Sequence, residues 1–180
     1  MLPRILFLSA LLAVAACGEG EKSAVSREGE ILRELGARGR AGLPQEQLDA
    51  YAATFGFLDS DESGLVSIEE YEANSIFGNS FSARGVFGAT DRDASGQVTL
   101  DEYVENRIIT DEAKEIHQQI DVDGSGGVSR DELVLRTSWS TDALEGVFVE
   151  FDRDGDGEIV QIEWLITWGN WARLPGVGLV

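Results

Sequence analysis

A twelve-residue acidic pattern occurs four times in this chain, and it restricts the possible folds more than any other feature of the sequence. Its fullest copy, residues 152–163, has aspartates at positions 1, 3 and 5, glycine at position 6, an aliphatic residue at position 8 and glutamate at position 12. Glycine permits a sharp turn that residues with a Cβ resist. Oxygen-bearing side chains at alternate positions of so tight a turn can converge on one centre, which suits a hard divalent cation. The pattern therefore predicts four cation-binding loops.

The other three copies begin at residues 59, 91 and 121. The repeat is thus about 31 residues long, a period typical of internal structural repeats. One copy alone could be an acidic turn that mimics a metal site, whereas four in succession favour real metal loops. In these positions the pattern resembles the EF-hand, a helix–loop–helix calcium site, and the resemblance extends over residues 44–173.

The resemblance implies which atoms bind the ions, of which there would be up to four Ca²⁺. Side chains at positions 1, 3 and 5 would be ligands, position 7 would offer its backbone carbonyl, and a hydroxyl at position 9 would hold a coordinating water. Glutamate at position 12 would contribute two oxygens. The implied metal residues are Asp59, Asp61, Ser63, Leu65, Ser67 and Glu70 in loop one; Asp91, Asp93, Ser95, Gln97, Thr99 and Glu102 in loop two; Asp121, Asp123, Ser125, Gly127, Ser129 and Glu132 in loop three; and Asp152, Asp154, Asp156, Glu158 and Glu163 in loop four.

The chain is similar to calmodulin-like and calerythrin-like bacterial proteins with four EF-hands. That similarity implies an all-α fold of two paired helix–loop–helix units, with hands one and two in residues 44–110 and hands three and four in residues 111–174. Residues 175–180 would form a short tail. Paired loops would meet in short β-bridges at position 8. The residues at position 8 are Val66, Val98, Val128 and Ile159.

The segments that connect the loops are short. Each can hold an exiting helix, a tight connection and the next entering helix. Asn79 and Ser80 are expected to break the first segment, and helix N-caps are expected at Thr110 and at Ser140 in the other two. Because the central segment is as short as the others, a long linker helix between the two pairs is not expected.

The first seventeen residues are predicted to be a targeting signal. Residues 1–16 combine a short positive start with an apolar run, and the residues before Cys17 resemble the lipobox of bacterial lipoproteins, which implies lipidation of Cys17. The alternative is an ordinary secretory signal that is cleaved near Ala15. Residues 17–43 are expected to be a flexible tether, although residues 27–40 could form a short helix or remain disordered.

This signal predicts a protein anchored in the cell envelope by lipid. Gly18 follows the cysteine, where enteric bacteria use an aspartate to retain lipoproteins in the inner membrane, so the outer membrane is preferred over the inner. A secreted or periplasmic protein is the other possibility.

Bulk composition excludes several functions. The net charge of -19 argues against nucleic acid as a partner. An enzyme needs a nucleophile or general base outside the loops, and the chain has one histidine, one cysteine and no glycine-rich phosphate loop. We therefore expect no catalytic activity. The single methionine is the initiator, which argues against a promiscuous sensor with a methionine-rich groove.

The expected function is calcium binding at the bacterial cell envelope, as a buffer, a structural module or the dedicated partner of one unidentified envelope protein. The alternative is a calcium-dependent scaffold, adhesion or sensor module that regulates another envelope protein.

Three further features leave alternatives open. His117 stands where the other repeats have phenylalanine, and it could be a pH sensor, an extra ligand or a buried aromatic residue. Val160, at position 9 of loop four, departs from the family pattern because it has no hydroxyl. Trp164, Trp168 and Trp171 share one helix face, which either packs against hands three and four or is offered, with the tail, to a groove or a partner.

Overall fold

The structure is a computed structural model that describes residues 26–76 and 81–180, except the side chain of Phe81. The predicted signal segment, Cys17 and the predicted break at Asn79 and Ser80 lie outside the described residues. The described chain forms eight α-helices and two small sheets, which confirms the all-α class. The helices are α1 (Arg27–Leu35), α2 (Gln45–Leu58), α3 (Ile68–Asn74), α4 (Phe81–Thr90), α5 (Leu100–Ile120), α6 (Arg130–Arg136), α7 (Thr141–Phe151) and α8 (Gln161–Ala172). The strands are β1 (Leu65–Ser67), β2 (Gln97–Thr99), β3 (Gly127–Val128) and β4 (Ile159–Val160).

The strands pair the loops as expected. Strand β1 is antiparallel to β2, with Val66 opposite Val98. Strand β3 is antiparallel to β4, with Val128 opposite Ile159. Hand one is therefore joined to hand two and hand three to hand four, in each case through the aliphatic residue at position 8.

Helix α5 corrects the prediction for the central segment. It runs without interruption from the end of loop two to the start of loop three, so one helix both leaves hand two and enters hand three. The predicted boundary between residues 110 and 111 lies inside it. Thr110 does not cap a helix, because its hydroxyl donates to the carbonyl of Asn106 over 2.8 Å. The segment contains no glycine or proline that would break the helix. The predicted N-cap at Ser140 is confirmed, since its hydroxyl accepts from the Ala143 N–H.

Two hydrophobic cores lie on either side of α5. One belongs to hands one and two and contains Phe55 and Tyr103, whose rings are 5.8 Å apart. The other belongs to hands three and four and includes Phe148 and Phe151. Adjacent residues of α5 serve different cores, because Ile108 packs in the first core and Ile109 in the second.

The predicted tether is wrong from residue 27 onward. Ser26 caps α1 by accepting the Gly29 N–H, and the helix buries Leu32 and Leu35 completely in the second core. Of the two alternatives for residues 27–40, the structure shows the helix. The sequence was ambiguous because α1 has few apolar residues, and its stability depends on packing against α8 rather than on its own propensity.

The residues after α1 form hydrogen bonds with α5 and with the C-terminal tail. The buried carboxylate of Glu112 accepts the backbone N–H of Arg38 at 2.7 Å and that of Gly39 at 3.3 Å. The N–H of Arg40 donates to the carbonyl of Leu179 over 2.8 Å. Gly39 has φ +62°, and a Cβ there would lie 2.4 Å from the Leu179 carbonyl oxygen, so only glycine allows this approach.

The helix face with the three tryptophans is buried, so of the two alternatives the structure shows the face packed against hands three and four. Trp164 and Trp168 are fully enclosed, and their rings stack at 5.6 Å. Val177 and Leu179 of the tail pack in the same core. Among residues 26–76 and 81–180, none of the helices combines the length and the apolar composition that a membrane span requires.

Candidate metal centres

In each loop the glutamate at position 12 joins the two ends of the turn. In loop one, Oε1 of Glu70 accepts the N–H groups of Ser60 at 3.0 Å and Asp61 at 3.2 Å, and Oε2 accepts the Ser67 N–H at 2.9 Å. Ser67 in turn caps helix α3 by accepting the Glu70 N–H, which makes the contact reciprocal. The equivalent carboxylates, which bond their loops in the same way, are those of Glu102, Glu132 and Glu163.

The aspartates at positions 1 and 3 are turned into the loop by backbone donors. In loop one, Asp59 accepts the N–H of Ser63 at 3.0 Å and of Gly64 at 2.8 Å, and Asp61 accepts the same Ser63 N–H at 2.9 Å. The equivalent pairs with the same acceptors are Asp91 with Asp93 and Asp121 with Asp123. In loop four, Asp152 accepts from Gly155 and Gly157 instead.

Positions 5 and 7 contact each other in three of the loops. The hydroxyls of Ser63, Ser95 and Ser125 donate to the carbonyls of Leu65, Gln97 and Gly127 over 2.9 to 3.0 Å. Both partners are predicted ligands, so the structure brings these oxygens together. Loop four differs, because the carboxylate of Asp156 accepts the Glu158 N–H at 2.9 Å.

Two positions of every loop have left-handed backbone. Position 6 is always glycine, with φ between 82° and 96°. Position 4 also has positive φ, and there the loops differ: Glu62 and Ala94 occupy it in loops one and two, whereas Gly124 and Gly155 occupy it in loops three and four. The requirement at position 4 was missed from sequence, although glycine in two of the four copies was a signal for it.

Each loop gathers three carboxylates around one centre. The candidate ligand oxygens at positions 1, 3 and 12 lie within 4.8 Å of one another in all four loops. Calcium–oxygen distances are about 2.3–2.6 Å, so two ligands on opposite sides of the ion are about 4.6–5.2 Å apart. The clusters therefore match the size of a Ca²⁺ coordination sphere. They are Asp59, Asp61 and Glu70; Asp91, Asp93 and Glu102; Asp121, Asp123 and Glu132; and Asp152, Asp154 and Glu163.

Hydrogen bonds lower the pKa of three of the closing glutamates. The backbone N–H and then the hydroxyl of Ser67 lower the pKa of Glu70 to about 2. At Glu102 and Glu132 burial raises the pKa. The hydrogen bonds from Thr99 and from Ser129 lower it by more, so the pKa of each glutamate is below its ordinary value. These side chains are thus acceptor-only groups, which is the state that a cation requires.

Val160 changes the end of loop four but not its closure. Without a hydroxyl it donates only one hydrogen bond to the Glu163 carboxylate, from its N–H at 3.1 Å, whereas Ser67, Thr99 and Ser129 each donate two to theirs. The loop therefore retains the carboxylate at position 12 in the same place with one donor fewer.

His117 connects the core to loop four. It is buried, its Nε2 lies 3.0 Å from the Ile159 carbonyl oxygen, and its ring meets Trp164 edge to face at 5.7 Å. Since a carbonyl can only accept, the Nε2 atom carries the proton. Of the three alternatives, the structure supports the buried aromatic residue, because the ring packs in the core and lies outside the carboxylate clusters.

Comparison with known proteins agrees with this geometry. The family model described as EF hand matches three segments, residues 52–73, 118–135 and 144–164, which include loops one, three and four. Loop two lies outside the matched segments, although its strand pairing and hydrogen bonds are those of the others. None of the curated proteins compared with the chain matches it significantly.

Among solved structures, the chain is similar to a homologue of programmed cell death 6 protein from Leishmania major Friedlin. The two share 20% sequence identity and a TM-score of 0.39 over 64% of this chain and 71% of the other. The three matched segments are similar to EF hands and have helix–loop–helix geometry, and EF-hand units indicate calcium binding.

Proposed function

We propose that this protein binds one Ca²⁺ in each of its four loops and performs no catalysis. The proposal rests on the observation that three carboxylates of every loop lie close enough together to bind one Ca²⁺ ion. We assign the ions to the residues named from the sequence at positions 1, 3, 5, 7, 9 and 12 of each loop, except that loop four has no hydroxyl at position 9. Loop four compensates with the additional carboxylate of Asp156.

Within calcium binding, the architecture favours a buffer or a structural module over a target-seeking sensor. Sensors expose a flexible, methionine-rich groove when calcium binds. In this chain the core of hands three and four is already covered by Leu32 and Leu35 of α1 and by Val177 and Leu179 of the tail. The sole methionine of the sequence is Met1.

Calorimetric titration of the purified protein with CaCl₂ tests the proposal. We expect four ions per chain. Replacing all four closing glutamates by glutamine, E70Q with E102Q, E132Q and E163Q, removes one ligand charge from each loop and should abolish saturable binding. The control variant, E28Q with E30Q, E34Q and E46Q, makes the same change in net charge outside the loops and should bind four ions. Equal calcium affinity in the two variants would contradict the proposal.

We propose further that the protein is a bacterial envelope lipoprotein anchored through Cys17. The support is the order of residues 14–17 after an apolar run, which resembles a lipobox. Growth with a radiolabelled fatty acid should label the wild-type protein but not C17S, and the label should follow the membrane fraction. Unlabelled protein that begins downstream of Cys17 would support ordinary secretion instead. The outer membrane is the proposed location, and separation of the two membranes tests it.

A further inference from the structure

Helices α4, α5 and α8 leave an open groove between the two hand pairs. It has a volume of about 500 Å³. Ligand sites in proteins are mostly apolar clefts of about 300–1,000 Å³ with a few polar groups. Apart from Ile162 at position 11 of loop four, the lining residues lie outside the loops, and α8 contributes its outer face rather than the buried tryptophan face.

Most of the groove wall is apolar and open to solvent. Ile162 is 60% exposed and Ile166 39% exposed on α8, and Val86 and Ala89 face them from α4. At about 30 Å³ for each water, the space holds on the order of fifteen waters against hydrocarbon walls. Replacing those waters by an apolar chain is favourable.

The guanidinium of Arg173 lies at one end of the groove. The guanidinium of Arg173 donates to the Asn106 side-chain oxygen at 2.7 Å and to the Gly169 carbonyl at 2.9 Å, both of which are neutral. Its Nε is buried and has no hydrogen-bond partner among residues 26–76 and 81–180. No carboxylate of the described residues forms a salt bridge with Arg173, and burial lowers the pKa of this guanidinium. The carboxylate of Glu105 attracts this guanidinium through space but pairs with Arg92, so no carboxylate of the described residues contacts Arg173, as one usually contacts a partly buried arginine.

The groove is also polar at one end and apolar at the other. Arg173 meets Asn106, whereas a Cβ at Gly169 would face Ile109, so α8 runs antiparallel to α5. Ile162 and Ile166 accordingly lie away from the guanidinium. A ligand that fits this gradient has an anionic head and an apolar body.

We propose that this groove binds a single-chain fatty carboxylate, with the head on Arg173 and the chain along Ile162 and Ile166. One guanidinium in a protein of net charge -19 favours a monoanion over a more highly charged phosphate head. The volume suits one chain rather than two. The site goes beyond the proposed calcium function and does not depend on it.

Titration calorimetry with dodecanoate in chelator-containing buffer tests the site while preventing calcium soaps. We expect one dodecanoate per chain and a loss of affinity of about tenfold to a hundredfold in R173Q, because a charge-assisted hydrogen bond is removed. The control R27Q removes a solvent-exposed arginine that pairs with Glu150 and should bind normally. Dodecanol, which lacks the charge, should bind wild type and R173Q equally.

Two further measurements test the site without R173Q, whose substitution could also destabilise the fold. A89F fills the groove from an exposed helix position and should abolish binding, whereas A53F adds the same side chain to the exposed surface of α2, outside the groove, and should not. Affinity should rise about fourfold for each CH₂ between octanoate and dodecanoate.

Equal dodecanoate affinity in wild type, R173Q and A89F would overturn the assignment. So would binding of an acidic amphipathic peptide with no binding of dodecanoate, since the groove would then be a protein-docking surface. A parallel calcium titration of each variant separates failure of this site from failure of the metal proposal.

Discussion

At the scale of single residues, the four loops differ most in how they satisfy the left-handed turn at position 4. Glycine adopts such a conformation without steric cost, whereas a residue with a Cβ loses about 1–2 kcal/mol there. Glu62 and Ala94 carry that cost in loops one and two, and Gly124 and Gly155 avoid it in loops three and four. The same residue type has the opposite effect inside helices, where the backbone freedom of glycine is destabilising.

Gly155 and Gly146 test this difference within one hand. We expect G155A to lower the free energy of unfolding by about 1 kcal/mol, because its φ is +76°. G146A should raise it by about 0.5–1 kcal/mol, since Gly146 lies inside α7 and a Cβ there meets none of the described residues within 4 Å. Urea denaturation of the metal-free protein measures both. Changes of the same sign would contradict the argument.

Tyr51 provides a prediction about pH. Its hydroxyl donates to Asp111 at 3.1 Å, and burial followed by the charge of Asp111 raises its pKa to about 12. Because the folded pKa exceeds the unfolded value of about 10, this phenol stabilises the fold below pH 10, and the contribution is lost as the pH rises toward 12.

In an alkaline titration followed by phenolate absorbance, Y51F should therefore lose the component near pH 12. Burial also raises the pKa of the two remaining tyrosines, Tyr71 and Tyr103, so the loss should be one of three phenol ionisations and these two should still titrate. An unchanged high-pH component would show that Tyr51 is not the source.

At the scale of elements, the N-terminal segment shows how one buried carboxylate positions a stretch of chain. Glu112 is 4% exposed and accepts two consecutive backbone N–H groups, those of Arg38 and Gly39. Neighbouring Glu115 pairs with the same Arg38 side chain at 2.6 Å, but at the surface. Burial makes the first interaction costly to lose, and solvent screens the second.

Replacing each glutamate by alanine should separate these contributions. E112A leaves the buried Gly39 N–H without an acceptor and should cost about 1–3 kcal/mol of unfolding free energy. E115A removes an exposed ion pair and should cost no more than about 1 kcal/mol. Hydrogen exchange of residues 36–43 should accelerate in E112A only. Similar exchange in the two variants would rule out Glu112 as the anchor.

At the scale of the whole molecule, α5 joins the two hand pairs directly. Helix α1 and the C-terminal tail cover the core of hands three and four. The core of hands three and four is therefore assembled from both ends of the described chain. Its completion depends on Leu32 and Leu35, which are fully enclosed.

Truncation of α1 should accordingly destabilise hands three and four, although α1 precedes hand one in sequence. L32A should cost about 2–5 kcal/mol, as for other buried leucines, and should red-shift tryptophan emission because Trp164 and Trp168 share its core. The exposed control V134A should leave both quantities nearly unchanged. A red shift of equal size in V134A would argue against a core effect.

The amino-acid sequence by itself determined the loops, their pairing partners and the helical class. Each loop is a local device. In loop one the Gly64 N–H donates to Asp59 and the Asp61 N–H donates to Glu70, so these hydrogen bonds lie within twelve residues and need no distant chain. The tertiary structure alone decided the continuity of α5, the docking of α1 and the groove at Arg173. Those features rest on contacts between residues far apart in sequence, such as Arg38 with Glu112, and neither periodicity nor spacing encodes which distant surface a short amphipathic segment will meet.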